Sequence, residues 1–246
     1  MRKLIESTHV SLGGEIGSPR WAFPYPDEEH HRCANGLLAE ADALPPGRPT
    51  YEGLSAADPQ MDGGDSRALR AFIDRTNGIA TNVVSTTLRH ATWDATVIDG
   101  DVPSFVADLN RLPGGNIIKY GEGPLDASLM EHGLIHEFHL LKTPAAVGRG
   151  QHMCEAVDPG PALELAGVTR FASGVGLLVY TPVRRDGGPL RQVGGTGSAG
   201  RCRGPRVQRR GGARTDPART GRSAATVHHA EHRRARRLPG GSPGRR

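Results

Sequence analysis

After Val183 the chain changes character, and this break decides how much of it can fold around a core. From Arg184 to Arg246 there is no Phe, Trp, Tyr, Ile, Met or Lys, while arginine supplies 17 residues and glycine 13. Such a segment cannot bury enough apolar surface to offset its chain entropy, so residues 184–246 are expected to be a disordered Arg/Gly-rich tail. Arginine without lysine, mixed with Gly, Ala and Pro, is also what GC-rich DNA encodes in almost any frame. The tail therefore reads equally as the product of a frameshift near codon 184. Residues 1–183 carry 14 of the 31 Lys and Arg and 23 of the 26 Asp and Glu, a net charge of −9, whereas residues 184–246 carry 17 and 3, a net charge of +14. The overall +5 and the pI near 9.5 describe neither part. A basic pI invites a nucleic-acid reading, but here the positive charge belongs to the tail, and a nucleic-acid partner is the least favoured of the functional readings.

The acidic body, residues 1–183, is long enough for one domain. Aromatics are only 4% of the chain, so a core must rest on Leu, Val, Ile and Ala. Apolar runs such as Val175–Tyr180 are far shorter than the ~20 residues a membrane helix needs. The N-terminal stretch has no apolar h-region, and Cys33, Cys154 and Cys202 form no CxxC pair. A cytoplasmic protein without a membrane partner is expected.

Hydrophobic periodicity alternates between strand and helix. Strands are expected at Arg2–Val10, Leu44–Gly47, Thr81–Thr87, Thr92–Asp99, Asn116–Tyr120 and Glu137–Val147, with a terminal hairpin of Ala162–Phe171 and Gly174–Thr181. Helices are expected from Asp27, over Thr50–Ala57, after Ser66, after Asp101 and from Pro124 to His132, where Asp and Ser serve as N-caps. The pattern predicts an α/β fold with a mostly parallel central sheet, flanking helices and a C-terminal antiparallel hairpin.

Two strand-turn-helix junctions can bind anions. Gly47-Arg48-Pro49-Thr50 places an arginine at a helix start, where free amides attract phosphate. Gly121-Glu122-Gly123-Pro124-Leu125 is a second glycine turn, with Asp126 where a Rossmann fingerprint would have its third glycine. A plain tight turn explains each of them as well. His136-Glu137-Phe138-His139 is one residue short of HExxH and lies in strand-like sequence, so no metal site is expected. His30, His31 and Cys33 at a helix start read as a solvent-facing cluster.

The order of these motifs resembles the dihydrofolate reductase-like superfamily, in particular the bacterial branch related to the C-terminal reductase domain of the bifunctional riboflavin-biosynthesis deaminase/reductase. The matching stretches are Lys3–Gly14, Asp42–Gly53, Asn82–Thr87, Pro113–Leu125 and Gly133–Gly150. The resemblance implies an NADPH-dependent reductase of a small pterin- or pyrimidine-like heterocycle, similar to the 5-amino-6-(5-phosphoribosylamino)uracil reductase of the riboflavin pathway. It implies that Gly47, Arg48 and Thr50 meet phosphate at one helix start. Ser85 and Thr86 would hold the 2′-phosphate side, and Gly121, Glu122, Gly123 and Leu125 the pyrophosphate. The segment from Ile16 to Trp21 would cover nicotinamide and substrate. No proton donor is identified, since Asp27 and Glu28 are accounted for as a helix start. A homodimer through the sheet edge is also implied. Departures from the family pattern are Gly13, Pro45, Pro46, Pro49 and His136, and they support an alternative: a catalytically impaired, small-molecule-binding descendant.

Overall fold

The computed structural model describes residues 1–193 apart from 18, 58–65, 94, 156, 158–159 and 185–189. Its strands are β1 (Leu4–Val10), β2 (Ala41–Leu44), β3 (Ala80–Val84), β4 (Ala95–Ile98), β5 (Asn116–Tyr120), β6 (Ile135–Lys142), β7 (Leu163–Arg170) and β8 (Gly176–Pro182). Its helices are α1 (Glu28–Ala39), α2 (Arg48–Ala57), α3 (Arg67–Gly78), α4 (Val102–Arg111) and α5 (Pro124–Glu131). The strands form one sheet in the order β4-β3-β2-β5-β1-β6-β8-β7. Pairing is parallel from β4 through β6, and β6–β8 and β8–β7 are antiparallel. This is the expected mostly parallel sheet with an antiparallel end.

The helices start where short polar side chains can accept orphan amides. Asp27, Ser66 and Asp101 cap α1, α3 and α4 by accepting from the amides of His30, Leu69 and Ser104. Each then buries an apolar stripe. Leu38 of α1 and Phe72 of α3 pack with Leu44 and Ile118 on one face of the sheet. Val102 and Val106 of α4, and Leu129 and Met130 of α5, pack with Leu4, Ala43 and Ile117 on the other. Strand alternation sorts β5 cleanly: Ile117 faces α4 and α5, and Ile118 faces α1 and α3.

Two expectations need correction. The strand expected at Leu44–Gly47 is Ala41–Leu44, so Pro45 and Pro46 follow its last ladder residue instead of breaking it. They cost β2 no ladder hydrogen bond, and the Pro46 carbonyl accepts from the Val84 amide at 2.9 Å. The second correction concerns His30, expected in solvent and found only 6% exposed. Its ring stacks on Phe171 at 5.4 Å and tilts against His9 at 5.5 Å, filling the space between α1 and the sheet.

Most of the expected tail lies outside the described residues. Its first part does not: the Arg191 amide donates to the Val183 carbonyl at 2.8 Å, and the Val193 amide donates to Gly160 at 2.9 Å. No helix among the described residues is long and apolar enough to cross a membrane.

Candidate functional site

Parallel strands deliver their carboxyl ends to one edge of a sheet, which is where such folds gather binding groups. Here β2 and β5 are neighbours, so the two junctions singled out in the sequence meet at that edge. A Cβ placed on Gly121 would lie 2.8 Å from Thr50 Oγ1. Gly121 also has φ +72, a region that glycine enters without penalty. The close approach and the left-handed turn both require glycine there, and they bind the start of α2 to the β5–α5 turn.

The α2 side is joined to the end of β3. Gly47 bridges Val84, and Arg48 donates to Thr87 Oγ1 at 2.8 Å and to Glu52 at 2.6 Å. Ser85 accepts from the Thr87 and Leu88 amides at 3.2 and 2.9 Å. Gly47, Arg48, Thr50, Ser85 and Thr86 therefore lie on two adjoining junctions, with Arg48 bridging toward the hydroxyl-rich one. Leu125 is placed differently from the rest: it packs on the core cluster under α5.

The β5–α5 turn is held from below by buried charge. Lys119 on β5 and Asp126 on α5 pair at 2.7 Å, with side chains 3% and 0% exposed. Lys119 also donates to the Gly121 carbonyl, and Asp126 Oδ2 accepts the Gly123 amide at 2.7 Å, the N3 half of a capping box. The cross-strand neighbour of Lys119 is Glu6 of β1, which is fully buried. Burial, then the neighbouring Asp126 carboxylate, hold the Glu6 carboxyl well above the usual range. Its neutral form is thereby favoured beside the 2.7 Å Lys119–Asp126 pair.

A cavity of about 280 Å³ opens beside this turn, lined by Glu122, Gly123 and Pro124 on one side and Gln151, His152, Glu155 and Val157 on the other. Glu122 Oε1 accepts the Cys154 amide at 2.6 Å. Residue 152 also bridges Glu15, and the Ile16 amide donates to Gln151 at 2.8 Å. The Ile16 segment is thereby brought to the cavity wall, with Ile16 itself buried at 7% exposure. Trp21 lies in a 3₁₀ turn, Pro19–Ala22, with its indole N–H buried and unpartnered among the described residues.

Sequence reasoning missed Glu6, Lys119, Gln151 and His152. A lysine inside the apolar run Asn116–Tyr120 and a glutamate inside Leu4–Val10 were the available signals, because a charge on a buried strand needs a partner. His136 Nδ1 accepts the Leu4 amide at 3.1 Å. Among the described residues no group of three or more His, Cys, Asp or Glu is arranged to hold a metal ion.

The model of the RibD C-terminal domain family matches residues 2–177. No curated protein matches the chain significantly. Among solved structures, a protein from Shewanella sp. PV-4 assigned to riboflavin biosynthesis is similar at 18% identity and TM-score 0.58, over 74% of this chain and 99% of that one. A pyrimidine reductase-like protein from Corynebacterium diphtheriae is similar at 12% identity and TM-score 0.50, over 75% and 93%. The Thermotoga maritima diaminohydroxyphosphoribosylaminopyrimidine deaminase/5-amino-6-(5-phosphoribosylamino)uracil reductase is similar at 13% identity and TM-score 0.52, over 74% of this chain but only 57% of its own. At these identities the likenesses establish the fold.

Proposed function

Because the chain belongs to the RibD C-terminal domain family, we propose that it is an NADPH-dependent reductase of a small pyrimidine- or pterin-like heterocycle. The observation that supports this reading is the close approach of Thr50 to Gly121, which sets two helix-start junctions side by side at one edge of the sheet. Apart from Glu122, the residues at this edge fit a dinucleotide. Arg48 is an exposed guanidinium beside a helix N-terminus, Ser85 and Thr86 add hydroxyls, and Gly121 gives the close backbone approach that a pyrophosphate needs.

The bound nicotinamide would supply the hydride; the protein supplies orientation and a dry pocket. Arg48, now shared between Glu52 and Thr87, would exchange those partners for phosphate oxygens in a bidentate contact. The Ile16 segment, held to Gln151, would close water out of the reacting side.

Arg48→Ala is expected to weaken NADPH binding about tenfold, the share of one charge-assisted contact. Its effect on stability should be under about 1 kcal/mol, because the Arg48–Glu52 pair is exposed. Fluorescence titration with NADPH and a denaturant melt check the two halves separately. Absence of saturable NADPH binding by the native chain up to millimolar cofactor overturns the reading.

The Glu122 carboxylate at the turn favours a second reading, a small-molecule binder without turnover. NADPH oxidation followed with a panel of pyrimidine and pterin substrates separates the two: binding without oxidation supports the second.

A further inference from the structure

A carboxylate is the wrong charge for an anion cradle, and Glu122 stands between the two glycines of the β5–α5 turn. It lines the cavity together with Gly123 and Pro124, and no Lys or Arg lines that cavity among the described residues. Its surroundings deepen the problem. Asp126 faces it from α5, Glu6 from β1 and Lys119 from β5. The loop opposite adds Cys154, whose amide holds Oε1, and His152 and Glu155, which lie 3.4 Å apart. Lys119 already donates to Asp126 and to the Gly121 carbonyl. Both oxygens of Glu6 and Oε2 of Glu122 are buried without a hydrogen-bond partner among the described residues. A diphosphate entering here would meet the charge of Glu122, because Lys119, which faces it, is already engaged by Asp126 and the Gly121 carbonyl.

Resting on the reductase reading above, we propose that Glu122 sets the dinucleotide affinity of this turn, and that a diphosphate binds there with uptake of one proton by its carboxyl. Removing the charge by protonation ends the repulsion, and the neutral carboxyl can donate a hydrogen bond to a phosphate oxygen. Burial, reinforced by Asp126 and opposed by the Cys154 amide, raises this carboxyl above its usual range and so lowers the cost of that uptake. NADPH affinity then rises as pH falls, whereas a ligand without phosphate is indifferent.

The test titrates the full chain and Glu122→Gln with NADPH and with reduced nicotinamide riboside, which carries no phosphate, at pH 8 and pH 6. Glutamine keeps the shape and an acceptor for the Cys154 amide. At pH 8 the variant is expected to bind NADPH about tenfold more tightly than the native chain, the effect of removing one nearby charge. Between pH 8 and pH 6 the native chain should gain more affinity than the variant, and the riboside should bind both alike. Equal NADPH affinity at pH 8, equal pH slopes, or a gain shared by the riboside overturns the proposal while leaving the reductase reading standing. Failure of both chains to bind NADPH overturns the two together.

Discussion

Lys119→Met is expected to cost about 3–5 kcal/mol of folding stability, the range for removing one partner of a buried ion pair. The pair with Asp126 is enclosed at 3% and 0% exposure. Methionine fills a similar volume, so the loss comes from charge rather than from a cavity. Asp126 would be left ionised without a counter-charge, beside Glu6 and near Glu122. The Gly121 carbonyl also loses its lysine donor, so the turn loosens as the domain weakens. Adding Asp126→Asn to the same chain should recover part of the loss, since asparagine can still accept the Gly123 amide without a charge to bury. Denaturant midpoints of the two single variants and the double variant give the coupling energy. Additive losses would show that the pair does not act as a unit.

The second large effect is acid sensitivity. His9 lies on the α1 face of β1 against His30, and burial, with each histidine crowded by another, holds both down from 6.5 to about 4. The sign follows from linkage. A group whose folded pKa lies below its unfolded one takes up its proton first in the unfolded chain, so stability is complete above about pH 6.5 and falls between there and pH 4. For His9, half-buried against His30, the loss approaches about 3 kcal/mol, at 1.36 kcal/mol per pH unit. Glu6 acts in the opposite sense: its raised value favours the folded state at low pH, so it opposes this loss. Urea midpoints at pH 7.5 and 4.5 measure the effect, and His9→Leu should flatten the difference. A His9→Leu chain that loses as much stability between the two pH values as the native chain would contradict the shielded, neutral pair.

Much of the fold was legible because local signals and burial agreed. The caps at Asp27, Ser66 and Asp101 were read from residue type alone, and the structure confirms each by a hydrogen bond. The errors arose where the deciding contact is remote. His30 looks like a solvent residue at a helix start because Phe171, which covers it, follows only at the turn of the terminal hairpin. Leu44–Gly47 reads as a strand because its apolar residues are contiguous, whereas the β2–β3 ladder stops at Leu44 and returns only as the single Gly47–Val84 bridge. The site was half legible. Glycine turns and Arg48 are visible in one dimension, since they carry their own conformational or charge signature. The clamp beneath them is not, because Glu6, Lys119 and Asp126 come from three elements and become a unit only when β1 and β5 pair.

The short return of the chain after Val183 bears on where it can be cut. Ala162 donates its amide to Arg191 at 2.6 Å, and the carbonyls of Val183 and Gly160 accept from Arg191 and Val193. All three are main-chain bonds, indifferent to which side chains stand at those positions. A shortened protein ending at Val183 would hand these groups at the end of the β7–β8 hairpin to water. One ending just beyond Val193 would keep them, and it would also shed the arginine-rich remainder that gives the whole chain its positive charge.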